Sequence, residues 1–233
     1  MPAIDLPPAA AHSAPPADGR RRGFAYPATL LGLFVLLWLV LAIAPWYRQD
    51  WLLENVLVFV AIPLLVVTAR RQRFSNFAYT LLFVFFCLHE IGAHYTYSMV
   101  PYDQAFQALT GRSLDALLGL QRNHYDRLVH FCFGLLLLPA TAELLEQRAG
   151  LRGAWAAVLP VLVIEALSAI FELIEWAAAT VFGGDLGQAY LGTQGDVWDA
   201  QSDMALALLG ASITQALRIA WRRRGLSRST ARR

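Results

Sequence analysis

Ionisable side chains interrupt the apolar segments of this sequence, and they are of the types that bind metals or transfer protons. Histidines and acids occur together in residues 87–95 and 124–130, and further acids occur in residues 165–175 and 195–203. Neutral imidazole and carboxylate form a ligand set that suits Zn²⁺, Mn²⁺ or Fe²⁺, and a bound cation offsets the repulsion among the acids. Without a metal, protons must neutralise the acids, and the same groups then suit acid–base chemistry or proton-coupled transport.

The spacing of these residues places several of them on common helix faces. Asp126 and His130 are four residues apart, as are Glu90 and His94, so each pair can present two ligands, or a ligand and its orienting carboxylate. Two larger sets each share one face of a helix: Glu165, Ser168, Glu172 and Glu175, and Asp196, Asp199 and Asp203. His89 and His94 are five residues apart and lie on different faces, which excludes the zinc-protease helix motif.

Seven of these residues are the candidate site residues. The predicted acid–base groups are Asp126, Glu172 and Glu175, and the predicted ligands of a divalent transition metal such as zinc are His94, His130, Asp199 and Asp203. The alternative is that these groups only hydrogen-bond neighbouring helices and fix their register. Arg122 and Arg127 could also neutralise two of the acids without a metal. So many costly polar groups exceed what helix packing needs, which favours a functional site.

The composition indicates whether these groups belong to a soluble protein or to a membrane protein. Of the 233 residues, 57% are hydrophobic and 15% are charged, whereas a soluble domain has about a quarter of its residues charged. The apolar residues fall into six runs, at 27–45, 51–69, 74–95, 125–145, 153–182 and 198–221. At ~1.5 Å per residue, each run is long enough for a helix across a bilayer core of ~30 Å with its flanks. The sequence predicts an all-α membrane bundle and excludes a soluble enzyme or a nucleic-acid-binding domain.

The arginines predict the orientation of this bundle. The chain has no lysine, and with six spans and a cytoplasmic N-terminus, 15 of its 19 basic residues lie in the cytoplasm, as the positive-inside rule requires. We expect a disordered cytoplasmic tail at 1–26, a membrane domain at 27–221 and a basic cytoplasmic tail at 222–233 that contacts anionic lipid headgroups. A cleaved signal peptide is the competing interpretation of the N-terminus, but the first apolar run is longer than usual for one.

In this topology the candidate residues converge on one side of the membrane. The third span ends outside, the fourth and sixth begin there, and Glu172 and Glu175 lie in the outer half of the fifth. Glu165 lies nearer the cytoplasm. The sequence therefore predicts a polar pocket that opens toward the periplasm.

The same segments resemble the YjdF-type family of bacterial inner-membrane proteins. The matching stretches are GAHYTY at 92–97 with Pro101, NHYDR at 123–127, HF at 130–131, FELIEW at 171–176, LGTQGDVWDAQ at 191–201 and DM at 203–204. The resemblance covers residues 27–221; it implies a polytopic inner-membrane protein and assigns no activity. The spacing from Asp126 to His130 is also distantly similar to VanZ-like membrane proteins.

Three functional hypotheses follow from the site and its surroundings. The first is a membrane-embedded enzyme or binding protein that acts on a lipid-linked or envelope substrate. The second is a small proton- or cation-coupled transporter, which needs polar groups that continue inward past Ser168 to Glu165. The third is an accessory protein whose polar residues are structural. The expected partner is the lipid bilayer, and no nucleic acid is expected.

Overall fold

The computed structural model describes residues 17–230, with side chains described for residues 23–224. The regular elements of this part of the chain are all helical. They are α1 (Ala17–Leu41), α2 (Arg48–Thr68), α3 (Asn76–Tyr95), α4 (Tyr102–Thr110), α5 (Leu114–Leu118), α6 (Tyr125–Arg148), α7 (Gly153–Phe182), α8 (Gly184–Leu191) and α9 (Asp199–Thr230), with a 3₁₀ turn at Tyr97–Met99.

Six of these helices are long and apolar enough to cross a membrane, namely α1, α2, α3, α6, α7 and α9. Their outer faces expose large apolar side chains such as Leu36, Val67, Leu173 and Leu217, which a bilayer covers and water would not. The predicted all-α, six-span architecture is confirmed. The cytoplasmic location of both termini stays a prediction.

The predicted tails lie partly within the described residues. Helix α1 begins at Ala17 and α9 ends at Thr230, so helix extends into the segments 1–26 and 222–233. Residues 1–16 and 231–233 of these tails lie outside the described residues.

Helix α6 occupies the centre of the bundle and packs against α3, α7 and α9, while α1 and α2 pack on α3. Aromatic side chains fill the contact between α1, α3 and α6. Phe34 of α1 and Phe85 and Phe86 of α3 join Val129 of α6 in one buried cluster. The two short helices α4 and α5 pack on each other, and α8 contacts both α7 and α2.

The closest helix contact is between α6 and α9, which run parallel. A Cβ atom on Gly134 would lie 1.9 Å from the carbonyl oxygen of Ala207, and one on Gly210 would lie 2.2 Å from the carbonyl oxygen of Phe131. Only glycine fits at such a distance, which is typical of membrane helices that associate through small residues. Farther along, the Thr214 hydroxyl donates a hydrogen bond of 2.8 Å to the carbonyl of Leu135.

The two ends of the bundle differ in charge. At one end Arg148 donates to the carbonyl of Arg71, and Glu146 forms ion pairs with Arg218 at 3.3 Å and Arg222 at 2.7 Å. We call this the arginine end, and the opposite end, where α6 and α9 begin, the carboxylate end.

Other local predictions also differ from the structure. The first span ends at Leu41 instead of 45 because Ala44 precedes a proline and has a φ of 49°, and a residue before proline avoids the helical conformation. The glycine-rich composition of segment 183–195 predicts a loop, but the segment contains α8. Its Gly187 lies so near α7 that a Cβ atom would be 2.9 Å from the Ala179 carbonyl oxygen, so packing on α7 outweighs the low helix propensity of glycine.

Substitution of Gly134 by Ala tests the α6–α9 contact. The added methyl group meets backbone atoms of Ala207 and Ala211, so the helices must separate, and we expect the free energy of unfolding to fall by about 1–3 kcal/mol. Thermal or detergent unfolding of the purified protein measures this loss. The control is Gly32→Ala in α1, where a Cβ atom has no neighbour within 4 Å and alanine is the better helix former. Equal effects of both substitutions would contradict the close contact.

Candidate functional site

Three of the predicted site residues meet where α6 and α9 begin. Asp126 and His130 lie one turn apart on α6, Asp203 lies on α9, and one ligand atom from each is within 4.8 Å of the others. All three are buried, with exposed fractions of 7%, 8% and 2%. His130 and Asp203 each precede the α6–α9 contact by one turn, because Gly134 follows His130 and Ala207 follows Asp203 by four residues. The close helix contact therefore sets the spacing of this group.

Helix α7 adds two more predicted residues. The Glu172 Oε1 atom lies 3.6 Å from His130 Nε2, and Glu175 is buried one turn farther along. Ser168 is buried on the same stripe, whereas Leu173 and Ile174 are exposed. The predicted polar stripe of α7 thus faces the bundle interior.

Asp199 lies beside the group but is paired with arginine. Arg122 donates a hydrogen bond of 2.6 Å to Asp199 Oδ1 and one of 2.8 Å to the carbonyl of Thr193. Arg127 donates to Asp196 and lies 3.8 Å from Asp199 Oδ1. The acids that open α9 and the two arginines before and within α6 therefore form an ion-pair layer over the group. Burial, then Arg127 and Arg122, lower the pKa of the neighbouring His124.

The structure does not bring His94 into this group. Its Nδ1 atom lies 2.7 Å from the carbonyl oxygen of Leu41, and its ring packs edge-on against Tyr95 with centroids 4.6 Å apart. His89 is also engaged elsewhere, because its ring nitrogens lie 3.1 Å from the Glu54 carbonyl oxygen and 2.5 Å from the Tyr97 hydroxyl.

A second set of buried acids lies on α2 and α3, and its two members on α2 were not among the predicted residues. Asp50 and Glu54 of α2 and Glu90 of α3 are 1%, 3% and 0% exposed, and the Thr96 hydroxyl donates a hydrogen bond of 2.8 Å to Asp50. Asp50 and Glu54 are four residues apart at the start of the second span, and an ionisable residue within a span signals a functional site. The predicted start at 51 placed Asp50 outside this span.

Tyr97 and Tyr190 lie within electrostatic range of both sets of acids. Burial, and then the carboxylates of Glu54 and Asp126, raise the pKa of Tyr97 well above its ordinary value. Burial, and then Glu54 and Glu175, raise the pKa of Tyr190. Both hydroxyls therefore stay protonated. His89 Nε2 donates to the Glu54 carbonyl oxygen, so Nδ1 of the neutral ring accepts the Tyr97 proton. Acids from α2 and α7 lie within electrostatic range of both tyrosines, and Asp126 of α6 lies within range of Tyr97.

Several acids have buried carboxylate oxygens without a hydrogen bond within the described part of the chain. Carboxylate oxygens without a partner belong to Asp50, Glu54, Glu90, Glu165, Glu172 and Asp203. Buried polar atoms are rarely left unpaired, and each costs about 1–3 kcal/mol or more when charged. Cations, protons or water molecules must therefore balance these oxygens, and the arrangement is suited to binding a cation.

Substitution of Arg122 by Gln tests the ion-pair layer. The side chains of Arg122 and Asp199 are 15% and 6% exposed, so the change removes the nearer of two guanidinium groups from a nearly buried carboxylate, and we expect unfolding to become easier by about 3 kcal/mol. Thermal unfolding measures the effect. Arg112→Gln removes the same charge from an exposed residue and should change little. A small effect of Arg122→Gln, equal to that of Arg112→Gln, would argue against a structural ion pair.

Comparison with known proteins identifies the family of the chain. Residues 26–224 match the family model described as "Predicted membrane protein (DUF2238)". The chain is also 41% identical over 168 residues to "Inner membrane protein YjdF" of Escherichia coli (strain K12), a match that covers 72% of this chain and 76% of that protein. No solved structure matches the chain. The predicted YjdF-type resemblance is confirmed, whereas the VanZ-like likeness stays a prediction. The chain therefore belongs to the DUF2238 family and is a multi-pass protein of the inner membrane.

Proposed function

We propose that this protein is a metal-dependent enzyme of the inner membrane, which holds a divalent transition metal with Asp126, His130 and Asp203 and acts on a lipid-linked or envelope substrate. The supporting observation is the meeting of these three buried side chains, whose ligand atoms lie within 4.8 Å of one another. One imidazole and two carboxylates are ligands that Zn²⁺, Mn²⁺ and Fe²⁺ accept. Three protein ligands also leave a coordination position open, as catalytic metal sites do.

The charge balance of the pocket supports a bound cation. Arg122 and Arg127 direct their hydrogen bonds to Asp199 and Asp196, so they leave Asp203 and Glu172 with unpaired oxygens. Buried carboxylates of this kind are costly unless a counter-charge lies among them. A divalent cation within the group supplies that charge.

The remaining predicted residues take supporting roles in this proposal. Divalent transition metals lower the pKa of a bound water molecule to about 7. Glu172 is the candidate general base, because its Oε1 atom lies 3.6 Å from the ligand nitrogen of His130 and has no hydrogen-bond partner among the described residues. Glu175, buried on the same stripe, can exchange protons with Glu172. Asp199 orients Arg122, and His94 lies outside the proposed ligand set.

The depth of the site supports a lipid-linked substrate. Asp126 is the second residue of α6, and Asp203 is the fifth residue of α9, so the proposed ligands lie within the first two turns of membrane-spanning helices. Residues at that position lie near the lipid headgroups and not at the bilayer centre. A headgroup, or the linkage between a lipid and its polar cargo, can reach this depth from the membrane surface.

Cation or proton transport is the second candidate function. It is favoured by the unpaired oxygens of Ser168 and Glu165, which continue the polar stripe of α7 toward the arginine end. Against it stands an apolar layer of Leu138, Ile164 and Ala211, all 0% exposed, between α6, α7 and α9. Transport therefore ranks second, and cation uptake into proteoliposomes that is lost in Glu165→Ala would reverse this order.

Elemental analysis of the purified protein tests the metal proposal. We expect close to one transition-metal ion per chain, and its loss in His130→Gln and in Asp203→Asn, because each change removes one of three protein ligands. Plasma mass spectrometry after exhaustive dialysis gives the metal content, and circular dichroism checks that each variant remains helical.

Two control variants carry the same chemical changes outside the proposed ligand set. His94→Gln removes a histidine bonded to the Leu41 carbonyl, and Asp185→Asn removes an exposed acid of α8; both should retain the metal. The proposal fails if the folded native protein holds no transition metal after growth with added metal, or if His94→Gln loses it as fully as His130→Gln does.

A further inference from the structure

A cleft of about 620 Å³ lies at the arginine end, between the start of α7 and the later turns of α9. Its volume falls within the range of small-molecule sites. Its charged lining consists of Arg152, Arg218, Arg222 and Arg223, with Glu146 as the acid. Four arginines and one acid leave an excess of three positive charges in this cleft.

The arginines of the cleft differ in their partners. Arg218 and Arg222 both pair with Glu146, at 3.3 Å and 2.7 Å, and are held in place by it. Arg152 and Arg223 are exposed and form no ion pair with any other described residue. Two guanidinium groups therefore remain available for an external anion, and planar guanidinium groups favour phosphate because they can donate two parallel hydrogen bonds to it.

The position of the cleft indicates where that anion comes from. Trp155 and Trp221 are next in sequence to lining residues of the cleft and are 66% and 78% exposed, as expected of tryptophans at the level of the lipid headgroups. Leu151 and Ile219 add apolar lining, which suits the glycerol and upper acyl region of a lipid better than a fully hydrated ion.

We propose that this cleft binds the phosphate group of an anionic phospholipid, with Arg152 and Arg223 as its main contacts. Gly153, the first residue of α7, also lines the cleft. A phosphate at this position bridges the start of α7 to α9, at the end of the bundle opposite the proposed metal ligands. The site is independent of the proposed metal chemistry, because it shares no residue with it.

Lipid titration of the full-length protein tests this site. The protein in uncharged detergent is titrated with fluorescent phosphatidylglycerol, and phosphatidylcholine is the neutral comparison lipid. We expect saturable binding of phosphatidylglycerol, and an affinity lower by about tenfold or more in the double variant Arg152→Gln, Arg223→Gln, because each arginine near an anionic lipid contributes about 1 kcal/mol. Both side chains are exposed, and matched thermal unfolding checks that the variant is folded.

A charge-matched double variant separates a defined site from diffuse attraction. Arg70→Gln with Arg71→Gln removes two charges from the same end of the bundle, but neither residue lines this cleft, so its affinity should stay much nearer the native value. Equal losses in the two double variants would overturn the proposal. Inorganic phosphate is the second probe. At concentrations near that of phosphatidylglycerol, it should not displace the lipid. Tighter binding of phosphate than of phosphatidylglycerol would refute a lipid site.

Discussion

The contact between α6 and α9 determines where the ionisable side chains of these two helices lie. Gly134 and Gly210 let two backbones approach until a single methyl group would collide with a carbonyl oxygen. One turn before that contact, the same helix faces carry His130 and Asp203. The side chains at these positions must therefore meet, whatever their charge. The contact between small residues thus holds Asp126 and Asp203 close together, although their like charges would otherwise repel each other.

The parallel direction of α6 and α9 has a further consequence for the bundle. Helices α6 and α9 are parallel and are separated in the chain by one span, α7. The chain must therefore cross back through α7 and continue through α8 before α9 begins. Because α8 packs on both α7 and α2, it carries Tyr190 into the interior beside the acids of α2 and α7. The connection that closes the bundle therefore also joins its two sets of buried carboxylates.

Much of the fold and part of the site could be predicted from the sequence. Hydropathy gave the six spans, and helical spacing placed Asp126 with His130 and oriented Glu172 and Glu175 inward, because both signals are local and strong. Two predicted metal ligands have other partners in the structure: Asp199 pairs with Arg122, and His94 is bonded to the Leu41 carbonyl. These partners are distant in sequence, so the local spacing of residues could not predict them. Helix α8 was missed because its stability comes from contact with α7 and not from its own residues.

The two ends of the bundle leave groups of opposite charge without partners. At the arginine end the acids Glu143 and Glu146 have partners, namely Ser75 and the arginines of α9, and Arg152 and Arg223 form no ion pair with another described residue. At the carboxylate end Arg122 and Arg127 are bonded to Asp199 and Asp196, and carboxylate oxygens of Asp203 and Glu172 have no hydrogen-bond partner among the described residues. A membrane offers anions at its surface and the aqueous phase offers cations. The two proposed ligands, an anionic lipid at the arginine end and a divalent cation at the carboxylate end, therefore follow from the same imbalance of charge.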